Sequence, residues 1–186
     1  MTTTTAAPPG TRPWQIDSSH TDAQFSVRHL MISTVRGRFG ETRGTVVYDP
    51  SDPSSLDLRV TIPVASIQTH DEQRDNHLRS PDFFDAASFP EITFVGRRIE
   101  GDFEGRFKLR GDLTIRGTTR EITFDVTNEG IGGDPWGNER MGFSASGKIN
   151  RFDFGLRWSA ALETGGMVVG DEVKLTVNLE VMRPKA

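Results

Sequence analysis

Apolar and polar residues alternate along most of this chain, and that period of two constrains the fold more than any other feature. Leu56, Leu58, Val60, Ile62 and Val64 form the longest row, with Asp57, Arg59 and Thr61 between them. Val173, Leu175, Val177, Leu179 and Val181 form another, set against Lys174, Thr176, Asn178 and Glu180. Shorter rows are Phe25, Val27 and His29; Ile92 and Phe94; Phe107, Leu109, Leu113 and Ile115; Ile122, Phe124 and Val126; and Phe143, Ala145, Gly147 and Ile149. Successive side chains of a strand point to opposite faces, so each row marks one apolar and one wetted face. Strands of this kind belong in antiparallel sheets. Their short spacing, with Gly- or Pro-marked turns, points to a barrel or a sandwich.

One segment breaks the pattern. Thr69 and Glu72 have capping-box spacing, Asp71 adds negative charge to a first turn, and Pro81 stops a helix. This predicts one principal helix over Thr69–Ser80. Residues 1–13 are mostly Thr, Ala, Pro and Gly, cannot bury apolar area, and are expected to be a disordered lead. The remainder, 14–183, reads as a single domain, an ordinary size for an all-β barrel.

Composition removes several function classes. The formal net charge is −4, which gives no electrostatic reason to expect nucleic acid or an anionic membrane as a partner. There is no cysteine, hence no disulfide and no thiolate chemistry, and no apolar run long enough for an integral membrane span. Gly142-Phe143-Ser144-Ala145-Ser146-Gly147 misses the G-x-S-x-G pattern by one position and lies on an alternating strand. Pro135 sits where a G-x-G-x-x-G beginning at Gly130 needs its last glycine. The chain is therefore not expected to be an enzyme.

The four histidines lack metal-ligand spacing. His70 and His77 would lie on one face of the predicted helix but about 10 Å apart along its axis, too far to share an ion. They read as hydrogen-bonded structural groups, and neither metal nor cofactor is expected. His29 differs, because by parity it points inward with Phe25 and Val27. It is either a core histidine satisfied by backbone, Asp or Ser, or a polar contact for the head of an apolar ligand.

The stretch Arg74–Pro90, RDNHLRSPDFFDAASFP, places Arg74, Asp75 and His77 beside Phe83, Phe84 and Phe89. So many rings among so many charges suit a segment that plugs one end of a cavity, rings inward and charges toward water. Three further stretches accompany it. They are Trp14-Gln15-Ile16-Asp17 leading through His20 to Phe25-Ser26-Val27-Arg28-His29-Leu30, then Gly111-Asp112-Leu113-Thr114-Ile115-Arg116-Gly117-Thr118-Thr119, and Arg151-Phe152-Asp153-Phe154-Gly155. In that order, from Trp14 to Val181, the chain resembles the YceI family of lipocalin-like, polyisoprenoid-binding proteins.

The resemblance implies an antiparallel, lipocalin-like barrel of about eight strands enclosing a long apolar tunnel, where periodicity alone leaves barrel and sandwich open. It implies noncatalytic binding, storage or transport of a long-chain isoprenoid lipid: a polyprenol, a polyprenyl phosphate or an isoprenoid quinone. The tunnel candidates are then Phe25, Val27 and His29; Leu58, Val60 and Ile62; Phe94; Leu113 and Ile115; and Phe124 and Phe143 from the inward rows, with Phe84 of the Phe-rich segment and Phe154 of the Arg151–Gly155 motif. Arg74, Asp75 and His77 fall at the mouth, where they either bind a headgroup or hold a loop against the barrel. A homodimer is one assembly the family suggests. Many relatives are exported, whereas MTTTTAAPPG lacks the cationic start and apolar stretch of a secretory signal. The cytoplasm is thus expected, with periplasmic or extracellular placement as the alternative. The competing functional reading is a ligand-free stress-response or protein-interaction barrel, and a barrel enzyme acting on a hydrophobic substrate is a third.

Overall fold

The structure, a computed structural model, describes residues 12–160 and 167–185. Most of the lead expected over residues 1–13 lies outside the described residues. The strands are β1 Trp14–Ile16, β2 Asp22–His29, β3 Ser33–Phe39, β4 Arg43–Asp49, β5 Asp52–Pro63 and β6 Ile67–Gln68, followed by helix α1 Glu72–Arg79. Then come β7 Glu91–Gly101, β8 Arg106–Ile115, β9 Thr118–Gly133, β10 Asn138–Asn150 and β11 Val169–Pro184.

Every pairing is antiparallel. Eight strands, β1-β4-β5-β7-β8-β9-β10-β11, run side by side, and β1 pairs with both β4 and β11, so the sheet closes on itself. This is the expected eight-stranded antiparallel barrel. Beyond β1 the chain bends through a 3-10 turn at Ser18–His20 and continues as β2 along the same edge of β11. There β2 carries β3, and β3 carries β6.

The alternating rows form strands with the expected faces. Leu58, Ile92, Phe94, Phe107, Leu113, Phe124, Phe143 and Ile149 are buried. Close approach needs glycine at two positions. A Cβ on Gly111 would lie 2.3 Å from the Phe94 ring, and one on Gly37 would lie 2.3 Å from the Phe25 ring. The tips of both rings therefore sit over bare backbone.

The helix is shorter than expected. Its N-cap is Asp71, whose carboxylate accepts a bond from the Arg74 amide at 2.9 Å. Thr69 is not the cap, because its hydroxyl is taken by Asp75 at 2.5 Å. His70 precedes the helix in the left-handed region, φ 61°, so it shares no helical face with His77.

At the bend between β1 and β2 a charge cluster clasps three segments. Arg140 of β10 donates from Nη1 to Asp17 Oδ2 at 2.6 Å and from Nε to Asp134 Oδ2 at 2.8 Å, and it pairs with Glu180 of β11. Asp17, His20 and Glu180 stand close enough to suggest a metal site, but the Arg140 guanidinium occupies the cation's place. Ser19, then Arg140 and His20, hold the Asp17 carboxyl well below the usual carboxylate range against the opposing effect of burial. The Asn138 amide and side chain, with Arg140, do the same for Asp134.

A depressed carboxylate stabilises the fold fully above its unfolded value, about 4, and loses that contribution as pH falls toward its folded value. Arg140→Gln should therefore lower the urea midpoint at about pH 7, with a smaller deficit against the parent at about pH 2.5. A deficit that does not shrink in acid would mean the clasp acts through packing, not charge.

Candidate functional site

The closed barrel is not filled. A cavity of about 400 Å³ runs through it, bounded almost wholly by apolar side chains. It follows the inward rows. β2 contributes Phe25, Val27 and His29, and β5 contributes Leu58, Val60 and Ile62. Phe94 of β7, Leu113 and Ile115 of β8, Phe124 of β9 and Phe143 of β10 complete the wall, with Phe84 covering one side. These are the tunnel candidates named from the sequence. Phe154 is the exception. It is 1% exposed in the 3-10 turn at Arg151–Phe154 and belongs to the packed core, not to the cavity wall. The turn breaks the alternation, so strand parity does not carry past Asn150.

The cavity is long and slender. Along β11 alone the wall extends from Val169 to Leu179. That is roughly 30 Å of strand and, at ordinary barrel tilt, ~25 Å along the axis.

The two ends differ. At one, Phe103 stacks on Tyr48 with centroids 4.7 Å apart and meets Phe107 at 5.4 Å and Phe143 at 5.9 Å. These rings plug the barrel. Phe103 sits in the polar turn Asp102-Phe103-Glu104-Gly105, and a lone aromatic there is the signal that row counting passed over.

The other end is the mouth, where most polar wall residues gather: Arg28, His29, Arg74, His77 and Arg151. His77 packs edge-on against Phe83 at 5.1 Å and Trp158 at 4.8 Å, and its Nε2 meets Asp82 Oδ2 at 2.9 Å. Trp158 lies in irregular chain with no periodicity to announce it.

Arg74 reaches the mouth, yet its guanidinium is committed to the loop. Nε donates to the Thr69 hydroxyl and Nη2 to the Thr69 carbonyl, both at 2.7 Å. The hydroxyl passes its own proton to Asp75, which also accepts from the Thr69 amide at 2.8 Å. Asp75 is 8% exposed and does not reach the cavity. Of the three mouth candidates, then, Arg74 and His77 line the cavity, while Asp75 anchors the segment that carries them.

Arg151 is a buried cation that lies over the Phe152 ring and, among the described residues, gives its hydrogen bonds to backbone carbonyls. It donates to the carbonyls of Gly170, Leu156, Trp158 and Val169 at 2.5–3.1 Å. Burial pulls its pKa downward. Its bonds tie the irregular chain after β10 to the start of β11. His29 is the opposite case. Among the described residues neither nitrogen of its ring has a hydrogen-bond partner. The ring presents an unused donor and acceptor to the cavity.

Comparison with known proteins fits this geometry. Residues 14–181 match the model of the YceI-like domain. A UPF0312 protein of Staphylococcus epidermidis is 40% identical over 168 residues, which is 90% of this chain and 95% of the relative. Among solved structures, the Campylobacter jejuni YceI protein is 34% identical, with a TM-score of 0.72 over 85% of this chain and 90% of that one. A polyisoprenoid binding domain from Saccharophagus degradans shares the fold at 15% identity, with a TM-score of 0.67 over 92% of this chain and 98% of that one.

The Thr69–Asp75 bond is buried on both sides, with Thr69 3% exposed. Thr69→Val should cost about 1–3 kcal/mol of stability, because it strands a carboxylate and an arginine donor. Denaturant melts of the variant check this, and an unchanged midpoint would show that the relay is dispensable.

Proposed function

The chain belongs to the YceI-like domain family, and on that premise we propose that its barrel binds one long isoprenoid lipid, tail along the cavity and head at the mouth. The observation that carries the reading is the shape of the interior. A slender apolar cavity plugged by rings at one end and edged with polar groups at the other matches a molecule with one long apolar tail and one polar head. The same-fold Saccharophagus domain is described as polyisoprenoid-binding, which supports the choice of ligand class.

Burial is worth about 0.8 kcal/mol per methylene, so a few isoprene units supply useful affinity. A much longer tail would pass the practical ceiling on binding energy, so length preference comes from where Phe103 and its neighbours end the channel. The head, whether alcohol, phosphate or quinone, meets His29, a mouth group whose two ring nitrogens both lack a partner among the described residues. We read the binding as noncatalytic. Among the described residues the cavity wall holds no carboxylate, and its histidines stand beside no nucleophile. Storage or transport is the role this leaves. A ligand-free interaction barrel would have no use for the open interior.

Val60 stands in the last third of β5, paired with Phe94 and facing the cavity. Val60→Trp should block the channel at little cost in stability, because the new ring enters open space. Native mass spectrometry and organic extraction should then find isoprenoid with the parent and none with the variant. A parent that neither copurifies with nor takes up isoprenoid would sink the proposal. So would a variant destabilised by the ~1–3 kcal/mol of an overpacked core.

His29→Leu tests the head position. The variant should keep its affinity for the tail and lose discrimination between polyprenol and polyprenyl phosphate. Unchanged discrimination, measured by competition for loading, would remove His29 from the headgroup site.

A further inference from the structure

The turn between β2 and β3 is built against its own conformational preference. Leu30 and Met31 are both left-handed, with φ 52° and 61°, and the Ile32 amide bonds back to the His29 carbonyl at 3.2 Å. Tight hairpin turns of this hand normally carry Asn-Gly, because bulky L-residues are disfavoured there. This turn instead displays three large apolar side chains to solvent: Leu30 36%, Met31 58% and Ile32 80% exposed. Strain of this kind persists where function needs the geometry.

Two further observations say what the tip meets. The first is position. The Leu30 amide bonds to the Val168 carbonyl at 2.9 Å, and both Val168 and His29 line the cavity, so the tip forms part of the rim of the mouth. The second is charge. The β2–β3 hairpin, Asp22–Phe39, carries Arg28, Arg36 and Arg38 against a single acid, Asp22 at the end far from the tip, in a chain whose net charge is −4. None of the three arginines makes an ion pair among the described residues. Arg28 donates to the Met31 carbonyl at 2.8 Å, which holds a cation directly behind the apolar tip.

We propose that the Leu30–Ile32 turn is a membrane-docking element that seats the mouth on an anionic bilayer. The apolar tip enters the boundary between headgroups and acyl chains, and the basic hairpin behind it pairs with anionic headgroups. The inference rests on the isoprenoid-binding reading and adds its route: a tail then passes from bilayer to cavity without crossing water.

The test uses the full chain and vesicles of phosphatidylcholine with or without phosphatidylglycerol, read by flotation. The parent should float with the anionic vesicles, less with the neutral ones, and less in high salt. Leu30→Asn combined with Met31→Gly installs the preferred turn, so its melting temperature should rise while flotation falls. Ile32→Ser should reduce flotation roughly tenfold, and Arg36→Glu with Arg38→Glu should remove the preference for anionic lipid. Loading of polyprenol from detergent micelles, read by native mass spectrometry, should be unchanged in all of these.

A parent that ignores both vesicle types overturns docking, as does a tip variant that floats like the parent. Docking also fails if the variants lose micelle loading, which would place the turn in the binding site, or if cross-linking through the tip shows it buried against a second copy. A parent that floats but takes no isoprenoid from micelles upholds docking and refutes the ligand reading.

Discussion

Three residues close the barrel. Trp14–Ile16 pair with β4 on one side and with the end of β11 on the other, two register pairs to each. Without them β4, and the end of β11 beyond its pairing with β2, would be open sheet edges, free to recruit another chain. So short a strand contributes little hydrogen bonding of its own. It is held from outside by Arg183, whose guanidinium lies 4.1 Å from the centroid of the Trp14 ring, and from below by the Arg140 clasp on Asp17. The first polar group after β1 is thus pinned to β10, β11 and the β9–β10 turn together. Closure makes the inward rows converge on one axis, and everything argued about the interior depends on that convergence.

Once closed, an eight-stranded ring is just wide enough that its side chains either meet or leave a channel. The outcome here is set by where the rings lie. Phe103, Phe107 and Phe143 point across the axis at one end and fill it. The ring tips of Phe25 and Phe94 reach over Gly37 and Gly111, into the space a side chain would fill. The glycines do not loosen the sheet; they let aromatic surface line a channel instead of crossing it. The result has a direction, dry and plugged below, polar and partly open above. Only a ligand with unlike ends exploits that.

The strands that alternate cleanly were legible in the sequence, and with them almost the whole cavity wall, because parity on a strand is decided by backbone geometry alone. What escaped reading lies where parity stops. β3 and β4 carry Arg36-Gly37-Arg38 and Arg43-Gly44-Thr45, which dilute the apolar signal below notice, although Val35, Phe39 and Val46 all face the cavity. Phe154 was placed at the tunnel with the Arg151–Gly155 motif, which folds as a 3-10 turn packed into the core. The helix was begun too early because Thr69 satisfies the capping-box spacing while its hydroxyl has a better partner in Asp75. His29 was placed correctly but left ambiguous, since a sequence does not show whether a ring nitrogen is bonded.

The bend at Asp17 also divides the labour of the first strands. Closure uses only β1. The rest of that edge takes no part in the seam: β2 and β3 wall the mouth half of the cavity, and β6 pairs with β3. That hairpin carries His29, the strained apolar turn and the three arginines without an ion pair among the described residues. Nearby, α1 and the Phe83–Phe84 segment lean over the same end through the Thr69–Asp75 relay. A barrel whose closing contacts sit at one end and whose appended elements crowd the other can alter its mouth without opening its seam. Strain in the Leu30–Met31 turn is tolerable for the same reason: the residues that bear it close no part of the ring.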